Sequence, residues 1–280
     1  MSNRLKPVAP EPRLVSETSI SRAYARILLD VMAGPGKEIA PLYVSISGFE
    51  GGSPPAEDRD FRRAMDELLR RNDKRDIEDV AFTIFPQRYW EMAKGDRALL
   101  FEYYRMAFPA FRAANRQANG RGLYFERLTM FGNGPCDGNQ LEYVLSQYEA
   151  RSEVRRSMLQ AAIFDPARDH TPSAQLGFPC LQQVSFVPSD AGLVVNAFYA
   201  TQQLFDKAYG NYLGLAQLGA FMASEMGLPF ARLNVMVGVA KLERITKSDA
   251  GLVALAAQAR KCLAVPQQST PRDALRTAAE

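Results

Sequence analysis

A mixed α/β domain is predicted by three observations: helical and strand-like hydrophobic periods interleave along the chain, a turn-flanked strand pair lies past its middle, and the composition can fill one large core. Of 280 residues, 47% are hydrophobic and 23% charged. That balance suits a single globular domain. We place it at residues 17–264, between a loose arm over 1–16 and a tail over 265–280.

The arm carries Pro7, Pro10 and Pro12 among charges, a pattern without a hydrophobic period. Ser19-Ile20-Ser21 then precedes Ala23, Ile27, Leu28 and Met32, a capped helix stopped by Gly34-Pro35-Gly36. Alternation around Leu42, Val44 and Ile46 predicts a strand, closed by a turn-rich loop over 48–55. Residues 57–71 read as a helix with Phe61, Met65, Leu68 and Leu69 on one face. The apolar run 79–85 fits a buried strand or a helix, and its period does not choose between them. Residues 99–114 predict an aromatic-rich helix, 140–148 a further helix and 155–164 a strand. After Cys180 a strand runs through Phe186, turns at Pro188-Ser189-Asp190-Ala191-Gly192, and returns over 193–200 as a hairpin. A long helix over 211–226 ends at Gly227 with Pro229 beyond, and 233–242 reads as a buried strand.

Charge and cysteine usage narrow the function classes. The formal net charge of +3 is too mild to imply a nucleic-acid partner. Arg105, Arg112, Arg116, Arg121 and Arg127 nevertheless crowd one stretch with Lys94 and Arg97. Such a cluster either steers a phosphorylated ligand or solvates a helix face, and the solvated face is the favoured reading. Cys136, Cys180 and Cys262 are odd in number, far apart and preceded by no secretory signal, so a reducing cytoplasm is expected. No run of eighteen apolar residues occurs, which argues against a membrane partner. His170 is the only histidine, and no metal is expected.

The chemistry centres on Pro179-Cys180-Leu181, where a proline turn delivers a thiol into a strand. Taken together, Gln140-Leu141-Glu142-Tyr143, Arg155-Arg156, Phe164-Asp165-Pro166, Pro179-Cys180 and the segment from Asn211 to Gly227 resemble the ordered motifs of thymidylate synthases. The resemblance implies a mixed sheet packed with helices, and a sheet-to-sheet homodimer. It further implies that Cys180 adds to C6 of a pyrimidine and activates C5, with 5,10-methylene-tetrahydrofolate as the one-carbon donor. By the same resemblance Asn211 reads the base edge, Arg155 and Arg156 reach a phosphate across the interface, Tyr124 stands for the family's active-site tyrosine, and Asp79 for its proton-organising glutamate.

The chain also departs from the family. Where the family has Gln-Arg-Ser-x-Asp, it reads Tyr199-Ala200-Thr201-Gln202-Gln203, so the phosphate-binding arginine is lost and Gln203 takes the aspartate's place as a substrate contact. The sugar-binding Asp-x-His-x-Tyr becomes Val239-Ala240-Lys241-Leu242-Glu243, in which Lys241 and Glu243 are the replacement contacts. The functional expectation is therefore methyl or hydroxymethyl transfer to C5 of a non-standard pyrimidine nucleotide or nucleoside. The competing reading is a catalytically inactive module that binds a nucleotide or a protein partner.

Overall fold

The computed structural model describes residues 11–49, 57–172 and 179–265. Its strands are β1 (Arg13–Glu17), β2 (Glu38–Ile39), β3 (Leu42–Ile46), β4 (Gln160–Ala162), β5 (Leu181–Ser189), β6 (Gly192–Gln203) and β7 (Phe230–Lys241). The helices are α1 (Ile20–Ala33), α2 (Arg59–Arg71), α3 (Ile77–Phe82), α4 (Gln87–Ala93), α5 (Arg97–Ala114), α6 (Arg116–Asn119), α7 (Tyr124–Thr129), α8 (Gln140–Glu149), α9 (Pro166–Asp169), α10 (Tyr209–Glu225) and α11 (Ala250–Ala264). The mixed α/β class is thus observed. One seven-stranded sheet runs in the order β1-β3-β7-β6-β5-β4, with β2 paired to β7. The β1–β3 and β6–β7 pairs are parallel and the remaining pairs antiparallel.

Strand alternation gives the sheet one buried face. Leu42, Val44 and Ile46 of β3, Leu233, Val235 and Val237 of β7, Val195, Ala197 and Tyr199 of β6, and Val184 and Phe186 of β5 all lie inside. Against them packs α10, which is buried almost all the way round, as expected of a helix at the centre of a large core. Gly210 and Gly214 bring its backbone against α3. A Cβ at Gly214 would stand 2.7 Å from the Ala81 carbonyl oxygen, and one at Gly210 2.7 Å from that of Ile77. A π-helical turn, Leu204–Ala208, joins β6 to α10.

The other face is largely uncovered. Leu14, Tyr43, Met236 and Phe198 lie on neighbouring strands in one row and are exposed. Beside them a polar row crosses four strands: Ser45 Oγ donates to Asn234 Oδ1 at 2.9 Å, Asn234 Nδ2 to Asn196 Oδ1 at 2.9 Å, and Asn196 Nδ2 to Ser185 Oγ at 3.3 Å.

Two expectations are corrected and one open choice is settled. Residues 13–16, assigned to the loose arm, belong to β1, because Val15 and Glu17 point inward and Glu17 is satisfied by Arg22 at 3.0 Å and Arg26 at 2.8 Å. The expected strand over 155–164 is only the three residues of β4. Arg155 and Arg156 precede it at an exposed 3₁₀ turn, Arg156–Met158. The undecided run 79–85 resolves as α3, capped by Asp76, whose carboxylate accepts from Asp79 N–H at 2.8 Å. The tail over 266–280 and the loop over 50–55 lie outside the described residues.

Candidate active-site cleft

Cys180 sits immediately before β5, and its carbonyl oxygen accepts from Ala200 N–H of β6 at 3.0 Å. This anchors the backbone while the thiol opens into a cleft of about 890 Å³. Thr201 Oγ1 approaches Sγ at 3.6 Å. Tyr124, at the start of α7, lines the same cleft. Its phenol is held neutral: desolvation raises its pKa above the usual tyrosine range, with the neighbouring Cys180 acting in the same direction, against hydrogen bonds from the Leu181 and Cys180 backbone.

Asn211 and Gln203 complete the set that the structure brings together. Asn211 lies in the first turn of α10 and is 4% exposed. The helix starts two residues earlier, so Asn211 does not cap it. Gln203 Nε2 donates to Glu243 Oε2 at 2.9 Å, so the Gln203 amide is partly committed. The other expected residues stand elsewhere. Asp79 lines an adjoining cleft of about 560 Å³. Lys241 pairs with Glu38 of β2 at 3.0 Å and does not line the Cys180 cleft. Glu243 reaches that cleft only through Gln203, and Arg155 and Arg156 line neither cleft.

The cleft also recruits Arg75, Lys207 and Gln202, which the sequence reading did not place in it, and Arg116, Arg121 and Arg127 of the arginine-rich stretch; among the described residues no aspartate or glutamate lines it. Three members of the arginine-rich stretch therefore face the site, not solvent alone. Arg127 is a structural member. Its guanidinium grips Asp169 through NH1 at 2.6 Å and NH2 at 2.8 Å and donates to the Ile163 and Arg121 carbonyls at 2.9 and 2.8 Å. Burial opposes ionisation of Asp169, yet the Arg127 hydrogen bonds and the Asp165 N–H hold its carboxyl below the usual range. Gln140 then ties the frame together, its Nε2 donating to the Arg127 and Ala162 carbonyls at 2.9 and 2.8 Å.

Gln202 is 1% exposed. Tyr212 Oη donates to its Oε1 at 2.8 Å, which fixes the amide, and its Nε2 has no hydrogen-bond partner. Arg121 NH1 is likewise buried without one. Lys207 has its pKa lowered by burial first and by Arg75 and Lys74 next, with Asp206 and Asp79 opposing. The weak sequence signal for these groups was Arg121 between Gly120 and Gly122; nothing local marked Gln202 or Lys207.

Phe82, Tyr89 and Phe111 wall the adjoining cleft. Phe82 meets Tyr89 and Phe111 edge-on at 5.9 and 5.2 Å between ring centroids. Gln217, 8% exposed, lines it too, and its Oε1 is unpartnered. Among the described residues no group of three His, Cys, Asp or Glu is placed to hold a metal ion, and no helix is long and apolar enough to cross a membrane. A scan against protein-family models matches none, and no curated protein sequence matches the chain.

Proposed function

We propose that the chain is a thymidylate synthase-like transferase that moves a one-carbon group to C5 of a pyrimidine nucleotide or nucleoside through an adduct at Cys180. The observation that carries this reading is the Cys180 thiol opening into a cleft shared with Asn211 and a neutral Tyr124. The thiol loses its proton, the sulfur bonds to C6, and the C5=C6 π electrons pass to C5 and the O4 carbonyl as an enolate. C5 would then take the donor's electrophilic carbon and lose its proton; the bond from that carbon to the donor nitrogen would break, and a hydride from the donor (methyl product) or water (hydroxymethyl product) would complete the carbon as the C6–S bond breaks and frees the thiolate. Asn211 offers a donor to O4 and an acceptor to N3–H, and neutral Tyr124 can donate or relay a proton beside sulfur.

The adjoining cleft suits the donor, 5,10-methylene-tetrahydrofolate. Its aromatic walls match a flat ring, and the unpartnered Gln217 Oε1 matches a ring N–H. When bound, that donor would supply the electrophilic carbon. We also infer a homodimer through the uncovered sheet face, whose row of Leu14, Tyr43, Met236 and Phe198 asks for cover. Phe198→Lys is expected to shift the sedimentation coefficient from dimer to monomer, whereas a protein that sediments as a monomer before substitution refutes the dimer.

The test of the reaction is release of tritium from C5 of labelled uracil and cytosine nucleotides and nucleosides, with and without the folate. Release from one of these compounds that disappears in Cys180→Ala is the expected result, and no release from any of them sinks the covalent reading. A binding module without turnover is the second reading. It is favoured by the absence, among the described residues, of a carboxylate lining the Cys180 cleft, since Asp79 lies in the neighbouring one.

A further inference from the structure

Gln202, Arg121, Arg75 and Lys207 line one cleft. Among the described residues five cationic side chains line it and no acidic one does. Arg127 is matched by Asp169 at 2.6 Å, and Arg75 reaches the Asn119 side-chain oxygen at 3.4 Å. Asp206, which acts on Lys207, pairs with Lys74 through Oδ2 at 3.0 Å. Two donors, Gln202 Nε2 and Arg121 NH1, are withheld from water with no acceptor. A buried donor without an acceptor is costly. Turning the Gln202 amide over would let Nε2 donate to Tyr212 Oη but would strand Oε1 in its place, so one end of the amide stays without a protein partner either way.

An acceptor-only, multiply charged group answers all of these features at once. Phosphate offers several oxygens to separate donors and favours guanidinium forks. A carbonyl ligand would engage Gln202 and leave the cations crowded. We propose that Gln202, Arg121, Arg75 and Lys207 form a phosphate subsite in the Cys180 cleft, so that the substrate is a phosphorylated compound held by the same chain that supplies the thiol. This rests on the reading of the cleft as a pyrimidine site. It replaces the expectation that Arg155 and Arg156 of a partner supply the phosphate contacts.

A bound phosphate would also raise the lowered Lys207 pKa. The groups acting on its ammonium are Arg75, Lys74, Asp206 and Asp79, and an added dianion outweighs the two cations. Binding is then accompanied by proton uptake at alkaline pH.

The experiment compares inorganic phosphate, uridine and uridine 5′-monophosphate by thermal shift and calorimetry. The proteins are the unmodified chain, Arg121→Gln, Lys207→Gln, Gln202→Leu and the double variant Arg155→Gln/Arg156→Gln. Phosphate is expected to raise the melting temperature, and the monophosphate to bind at least about tenfold tighter than the nucleoside. That advantage should fall to about threefold or less in Arg121→Gln and Lys207→Gln and persist in the double variant. Melting of each variant without ligand shows that a loss of affinity is not a loss of fold. The proposal is overturned if inorganic phosphate has no effect, if the nucleoside binds as tightly as its monophosphate, or if the double variant alone loses the advantage. Cys180→Ala separates this from the reaction. Retained phosphate selectivity with no C5 tritium release in any protein ends the covalent reading and leaves the subsite standing, and release without phosphate selectivity does the reverse.

Discussion

The Cys180 cleft treats its cations in two opposite ways. Arg127 is 2% exposed and saturated by Asp169 and two carbonyls, one of them that of Arg121, with Gln140 bracing the same backbone. Arg121 and Gln202 hold buried donors without acceptors, and Lys207 is pressed toward neutrality. The first arrangement fixes shape. The second holds unfavourable energy that a bound anion would relieve, which is what the proposed phosphate subsite requires.

The largest expected effect tests the saturated side. Asp169→Ala leaves a buried guanidinium without its carboxylate and should cost about 3–5 kcal/mol in urea unfolding; a loss under about 1 kcal/mol would mean that Arg127 is no better paired than its neighbours. Next is the α10–α3 crossing beneath Asn211. Gly214→Leu forces a side chain into the Ala81 backbone, with an expected cost of about 1–3 kcal/mol and looser monophosphate binding, and a variant as stable as its parent breaks the close-contact account.

Lys207→Met has a smaller effect of the opposite sign. Because the fold lowers the Lys207 pKa, the unfolded chain binds more protons between the folded and unfolded values, and stability rises with pH across that window. The substitution should therefore stabilise at neutral pH, and the gain should vanish above the ordinary lysine range. Urea midpoints at neutral and strongly alkaline pH check this, and a destabilisation at neutral pH contradicts a strained cation. Arg155→Gln with Arg156→Gln, both on an exposed turn, should change stability by no more than about 0.5 kcal/mol, as read by the same unfolding curves.

Local chemistry carried much of the architecture. Ser19 caps α1 by accepting from Arg22 N–H, the Pro188 to Gly192 turn joins β5 to β6, and the long helix ends as its Gly227-Leu228-Pro229 sequence requires. Cys180, Tyr124, Asn211 and Gln203, singled out from their order along the chain, line one cleft. The misses have a common physical origin. α3 is too short to display a period, and β4 takes its strand form from pairing with β5, not from its own residues. Arg121, Gln202 and Lys207 become a site only when α6–α7, β6 and the turn before α10 converge, and Lys241 is drawn off by Glu38 of a two-residue strand that no local signal announces.

The π-helical turn Leu204–Ala208 sets how this site can change over time. It joins β6, which ends at Gln203, to α10, which carries Asn211, and Lys207 lies within it. A π turn holds one residue more than an α turn, so the loss of one residue there is absorbed by a return to α geometry, whereas the same loss inside α10 would turn everything beyond it by roughly 100°. The joint is therefore a place where the chain can shorten by one residue while Asn211 keeps its place in the cleft.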